Sequence, residues 1–234
     1  MEKKYLEMTK MLNFDVESIQ SLIKNRKWIE LDEYNKIAAI YDFVRNEILF
    51  GYNSSDLLSA EEVLKDGYGQ CNTKATLLMA LLRSVGIPCR LHGSEVSKHF
   101  QRGVTSWLIS VLAPERIVHT WVEVLYLGNW IALEGVITDE SYMSAIKDKH
   151  KNVRGAFAKY AVAVSNLERL NLNWHGEDTF VQNYAVAVDY GVYDNPDSFF
   201  EQHRQTWSKL KNFAYVHYGR KVMNRNVDKI RKRI

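Results

Sequence analysis

The sequence predicts an α+β fold, and three observations carry that prediction. Apolar residues recur at helical spacing through the first third of the chain. One strongly amphipathic helix with a clean stop follows Cys71. From Arg90 onward the pattern changes to consecutive strand-like runs, rather than strands that alternate with helices.

Taken in order, Asp15 stands where it can cap a short helix that sets Ile19, Leu22 and Ile23 on one face. A longer helix follows Leu31, with Ile37, Ile40, Tyr41, Val44 and Ile48 at helical spacing, and Gly51-Tyr52-Asn53-Ser54-Ser55 breaks it. Ser59 with Glu62 is a capping box that opens a short helix over 60–65. Asp66-Gly67-Tyr68-Gly69 then makes a tight loop. Behind Cys71, residues Leu77, Leu78, Leu81, Leu82 and Val85 form a buried stripe, Gly86 suits the position just past the helix, and Pro88 forbids continuation. Strands are predicted over 90–92, 107–112, 118–126 and 130–133. The last two are joined by Leu127-Gly128-Asn129 as a hairpin. Beyond Asp139 the pattern weakens. Tyr160–Val164 and Tyr184–Val188 share the sequence Tyr-Ala-Val-Ala-Val, and two copies do not make a repeat protein. Asn195-Pro196 opens a long helix that carries Phe199, Phe200, His203, Trp207, Leu210, Phe213 and His217, with an interruption at Gly219. The domain expectation is an N-terminal helical extension over 1–35, a core over 36–140 and a mostly helical C-terminal extension over 141–234 packed on the core.

Composition narrows the function. The 234 residues hold 31 Lys and Arg against 28 Asp and Glu, a net charge of +3. With 46% hydrophobic and 25% charged residues, this is an ordinary globular composition. No nucleic acid is expected as partner from so small a net charge. Arg220, Lys221, Arg225, Lys229, Arg231, Lys232 and Arg233 do crowd the C-terminal end, and a solvated surface is the expected reading of that run. No run of about 18 apolar residues exists, so no membrane span is expected. Met1-Glu2-Lys3-Lys4-Tyr5-Leu6-Glu7 lacks the apolar stretch of a secretion signal. Two cysteines make no disulfide framework, and a reducing cytoplasm is the expected location. The oligomeric state is left open by the sequence.

Gly69-Gln70-Cys71 at a helix start, followed downstream by His119 in a strand-like run, is the arrangement that carries chemistry. A thiol attacks an acyl group as thiolate, and the free N–H groups and dipole of a helix N-terminus favour that charge. The same N–H groups suit a tetrahedral oxyanion. Gln70 offers an amide beside them, and Tyr68 and Trp121 are the further candidate substrate contacts. His119 is the candidate base, and a third polar group must fix its tautomer. Glu134, just past the neighbouring strand, falls near the level of His119, and Asp139 is the alternative acid. His92, His99, His150, His175, His203 and His217 compete with His119. His203 and His217 read as core residues on an apolar helix face, and His175 lies in a loop. Cys89, entering a strand after Pro88, reads as structural. Zinc on Cys71, Cys89, His92 and His99 has no supporting spacing, so no metal site is expected.

Three blocks resemble the transglutaminase-like superfamily of papain-type cysteine enzymes. They are Tyr41–Val44 through Tyr52, Gly67–Ala75 through Leu82–Arg90, and His119–Val124 through Trp130–Glu134. The resemblance covers about residues 36–140. It implies a transglutaminase-like core, with the nucleophile helix packed on an antiparallel sheet, and a bacterial-type cysteine peptidase or acyltransferase activity. It also implies Cys71 as nucleophile, His119 as base and Glu134 as acid. Two positions depart from the family pattern: Glu134-Gly135 stands where aspartate-proline is usual, and Asn72 follows the cysteine where animal transglutaminases have tryptophan. The implied reaction is acyl transfer on an amide, peptide or isopeptide bond of a peptide or protein substrate, with hydrolysis first. No metal or organic cofactor is required. Protein-glutamine transamidation is the alternative within enzymes, and a binding or scaffold protein that keeps the fold is the alternative outside them.

Overall fold

Two helices open the chain, α1 (Glu17–Arg26) and α2 (Glu33–Asn46). The structure, a computed structural model, describes residues 3–205 and 208–233. Asp32 starts α2 by accepting the Asn35 N–H at 2.9 Å. Asp15 does not play that part for α1. The helix begins after Val16 with no side-chain cap, and Asp15 lies one residue too early for the capping position. Two-residue β1 (Leu49–Phe50) pairs in parallel with β2 (Tyr68–Gly69), and α3 (Ala60–Asp66) crosses between them behind the expected Ser59–Glu62 capping box. That small unit delivers the chain into α4 (Cys71–Ser84). α4 is buried on every side from Asn72 to Arg83, not along one stripe only.

A four-stranded antiparallel sheet, ordered β5-β4-β3-β8, packs on α4. Its members are β3 (Cys89–Ser97), β4 (Arg116–Tyr126), β5 (Asn129–Ala132) and β8 (Val186–Tyr193). Tyr126 faces Asn129, so the hairpin turn is the pair Leu127-Gly128, both with positive φ (47° and 80°). Such a two-residue turn matches the right-handed strand twist, and glycine takes the second position without steric cost.

Several expectations are corrected here. Residues 107–112 form a helix, α5 (Trp107–Leu112), not a strand, because Ser106 accepts the Ile109 N–H as an N-cap. The C-terminal part also contributes more strand than expected. After α6 (Glu140–Lys149) come the hairpin strands β6 (Phe157–Lys159) and β7 (Val162–Val164), and β8 completes the main sheet beside β3. The long helix expected after Asn195-Pro196 stops early. Asn195 and Pro196 do start α7 (Pro196–Gln202), and the chain then resumes as α8 (Lys209–Ala214), a π turn over Tyr215–Gly219 and α9 (Arg220–Arg231). Trp207 lies outside the described residues. His217 is exposed, its ring tilted against that of Phe213 at 4.2 Å, not in the core.

Two apolar clusters hold these layers. Leu12, Ile19 and Ile23 from the first 35 residues join Ile37, Leu81 and Val122 in one of them, and the boundary expected at 35/36 falls inside α2. Phe50, Val96, Phe100, Tyr142, Ile146, Met223 and Val227 form the other, between the sheet, α6 and α9, and the Cys71 side chain packs against it. No helix among the described residues is long and apolar enough to cross a membrane.

Candidate active site

Cys71 is the first residue of α4 and half-buried, at the point where the second cluster opens into a cavity of about 280 Å³. The Gln70 N–H donates to Thr73 Oγ1 at 3.1 Å and fixes the entry into the helix. Asn72, the departure from the family pattern, ties that first turn to β4. Its Nδ2 donates to Val118 O at 3.1 Å and its Oδ1 accepts the Thr120 hydroxyl at 3.0 Å, one bond on each side of His119. The Cys71 thiol lies 3.6 Å from the same Oδ1. Helix start and histidine strand are therefore held in register by one carboxamide.

His119 and Glu134 are both fully buried. His119 Nε2 lies 2.7 Å from Glu134 Oε1. The second carboxylate oxygen accepts three successive backbone N–H groups, from Val181, Gln182 and Asn183, at 2.7, 2.9 and 3.2 Å. Successive amides converging on one oxygen form an anion nest. Glu134 sits in the turn after β5, and a Cβ at Gly135 would fall 2.3 Å from the Tyr41 hydroxyl. That clash excludes the proline usual at this position in the family.

With Nε2 committed to Glu134, Nδ1 is left without a hydrogen-bond partner among the described residues. Burial opposes charge on the imidazole. The neighbouring Cys71 and then Glu134 outweigh burial and push its pKa up to about 10. Tyr52, 6% exposed, also lines the cavity, and its hydroxyl has no hydrogen-bond partner among the described residues.

The other expected residues lie elsewhere or are already engaged. Gln70 lines the cavity, but its Oε1 accepts the Asn53 N–H at 2.8 Å and its Nε2 donates to Asp56 at 3.0 Å. Its amide therefore braces the loop over 53–56 and is not aimed at an oxyanion. Tyr68 is not part of the cavity wall and turns its hydroxyl to Arg220 at 3.2 Å. Trp121 also stays off the wall, with its ring 5.7 Å from that of His119 and stacked on His92 at 4.1 Å. His92 itself is pinned between Glu123 and Asp189, 2.7 Å from each. His175 is exposed, and His203 bonds the Tyr193 hydroxyl at 2.8 Å.

Asp139, the alternative acid, is not at the site. It caps α6 through Tyr142 N–H at 2.9 Å, accepts the Phe50 N–H at 3.0 Å and pairs with Arg231 at 2.8 Å. Burial would raise its pKa, but Arg231 and Ser141 hold it down at about 2. Asp139→Asn is expected to cost about 2–3 kcal/mol of stability at neutral pH, the free energy that corresponds to a carboxyl held down from 3.8 to about 2 by Arg231 and its other partners. A depressed carboxylate stabilises above its unfolded pKa. The penalty should therefore shrink as pH falls from about 4 towards 2, and urea midpoints of both proteins across that range check it. Part of the basic C-terminal run is structural in this way: Arg231 also donates to Phe50 O at 2.8 Å, and Arg233 pairs with Asp148 at 2.9 Å.

Sequence reasoning passed over Tyr52, Asn72 as a register lock, the 181–183 nest and the particular C-terminal residues that line the cavity. Asn212, Tyr215 and Met223 line the cavity, and Asn224 bonds both the N–H and C=O of Tyr52 at 2.7 and 3.1 Å. Only Asn72 and Tyr52, inside the blocks of resemblance, carried a local signal.

A helix-borne thiol, a strand-borne imidazole and a buried carboxylate thus stand on one α+β scaffold. Residues 23–135 match the family model of the transglutaminase-like superfamily, and the core built on them is transglutaminase-like. The solved structures similar to this chain include one named "Putative Cysteine Protease from Cytophaga hutchinsonii". It is 17% identical, with a TM-score of 0.47, over 82% of this chain and 47% of that one. The chain thus spans about half the length of that protein. No curated protein matches the chain at a significant level.

Proposed function

We propose that the protein is a thiol-dependent acyl-transfer enzyme that acts on an amide, peptide or isopeptide bond, with water as the acceptor. One observation carries this reading: the buried His119 ring is held at Nε2 by a Glu134 carboxylate that is itself fixed by three backbone N–H groups, its Nδ1 is unpartnered among the described residues, and Cys71 is near enough to favour its protonated form. Cys71 Sγ attacks the carbonyl carbon while His119 Nδ1 holds the thiol proton. The oxyanion forms near the first-turn amides of α4, which have no partners within the helix, and near the Tyr52 hydroxyl. His119 passes its proton to the leaving amine, and the C–N bond breaks to leave a thioester. Water then attacks the thioester, gives a proton to His119 and releases the acid and the thiol. Glu134 holds the imidazole in the tautomer and orientation this requires. Thiol, imidazole and carboxylate suffice for these steps, and the free Cys71 and Cys89 suit a reducing cytoplasm.

The test is a protein substrate such as casein, incubated with a fluorescent primary amine. Fragmentation, or ammonia release without incorporation of the amine, that Cys71→Ala abolishes supports hydrolysis. Incorporation of the amine that Cys71→Ala abolishes moves the assignment to transamidation. Turnover that survives Cys71→Ala removes the thiol mechanism.

A further inference from the structure

We propose that the acyl residue this site accepts carries a large apolar side chain of leucine or phenylalanine size, not a glutamine carboxamide or a charge. The inference rests on Cys71 being the attacking group and concerns what lies next to it. The thiol packs on the second apolar cluster, and the cavity wall beside it is built from Phe50, Val96, Phe100, Ile109, Ile117 and Met223. Its volume is near the low end of small-molecule pockets, which run from about 300 to 1,000 Å³. It therefore suits one side chain and its adjoining main chain better than a long segment. Among the ionisable groups on the wall, Asp56 accepts from Gln70 Nε2, Arg204 spends its Nε on Phe200 O, and the Tyr52 hydroxyl, unpartnered among the described residues, is the one placed near the oxyanion. Gln182, a carboxamide on the same wall, spends its Nε2 on Ala161 O at 2.7 Å.

An apolar wall of this kind rewards area. A side chain that fills it gains the transfer free energy of each buried group, whereas a carboxamide set against the Phe50, Val96, Phe100, Ile109, Ile117 and Met223 face must give up its water there. A single missing methylene in a hydrophobic pocket already changes specificity by about 10–200-fold. Leucine and phenylalanine are therefore expected to exceed alanine and glutamine by at least about tenfold.

The probe is a set of peptide vinyl sulfones that differ only in the residue beside the warhead: Ala, Leu, Phe, Gln or Lys. Cys71 Sγ adds to the β-carbon of the vinyl group, the double bond becomes single, and the α-carbon takes the proton from His119. Intact mass gives the rate of adduct formation, and iodoacetamide serves as a reference that does not use the wall. Leu and Phe faster than Ala, Gln and Lys by tenfold or more is the expected result. In Ile117→Thr, that advantage should narrow. Equal rates across the set, or Gln fastest, overturn the proposal while leaving the thiol mechanism intact. If Cys71 reacts with iodoacetamide no faster than Cys89, the functional assignment falls first, and the two failures are thus distinct.

Discussion

Glu134→Gln is expected to leave the fold in place and to lower turnover by about 10³–10⁴-fold, the scale on which a wrong imidazole tautomer slows this kind of catalysis. The argument lies in which end of the new amide faces which partner. Val181, Gln182 and Asn183 all donate to one carboxylate oxygen, so the glutamine oxygen must take that place. Its NH₂ group then points at His119 Nε2, which must become an acceptor. The neutral ring consequently carries its proton on Nδ1, facing Cys71, where it is unable to receive the thiol proton. Asp139→Asn, by contrast, should change stability and leave turnover nearly untouched, since its carboxylate serves Arg231 and α6. Turnover and thermal unfolding measured on both variants separate the two roles. Full activity in Glu134→Gln would sink the assignment.

Cys71 should be alkylated by iodoacetamide at pH 6 at least about 10³-fold faster than Cys89 in the folded protein. Cys89 is fully buried, and burial pushes its pKa to about 11 against the smaller pull of Arg83. Only about one molecule in 10⁵ would then carry a Cys89 thiolate at pH 6. Cys71 is half-buried beside an imidazole whose charged form is favoured up to about pH 10. The sign of the linkage follows from that elevation. Stability gained from protonated His119 is fully present below its unfolded pKa near 6.5 and disappears as pH rises through about 10. Mass spectrometry of both cysteine peptides over time measures the ratio. Equal labelling of Cys71 and Cys89 would leave no case for an activated thiol.

Much of this was legible in the residues themselves. The α+β order, the capped α3, the glycine exit of α4 and the β4–β5 hairpin are written in local spacing, where propensity, capping and turn chemistry act within a few residues. Cys71, His119 and Glu134 could be singled out because each lies beside a local signal: a glycine loop, a strand, a strand end. Local signals misled where competing preferences were close. Residues 107–112 are β-branched and apolar enough to read as a strand, and a single serine cap turns them into α5. The helix after Pro196 looked continuous, and it ends at Gln202 with the carbonyl of Phe200 bonded by Arg204.

By itself, the sequence determined the elements around Cys71 and the residue types available for chemistry, because those depend on neighbours along the chain. Only the tertiary structure shows that Glu134, and not Asp139, lies beside His119. Both are acids near one strand end, and their difference is a matter of which partners reach them: three amides from 181–183 and an imidazole for one, Arg231 from 92 residues away for the other. The same holds for Asn72, Tyr52 and the wall built with Met223. Their roles rest on pairings between distant segments, which local periodicity does not encode and which packing fixes once the sheet, α4 and α9 have closed around the cavity.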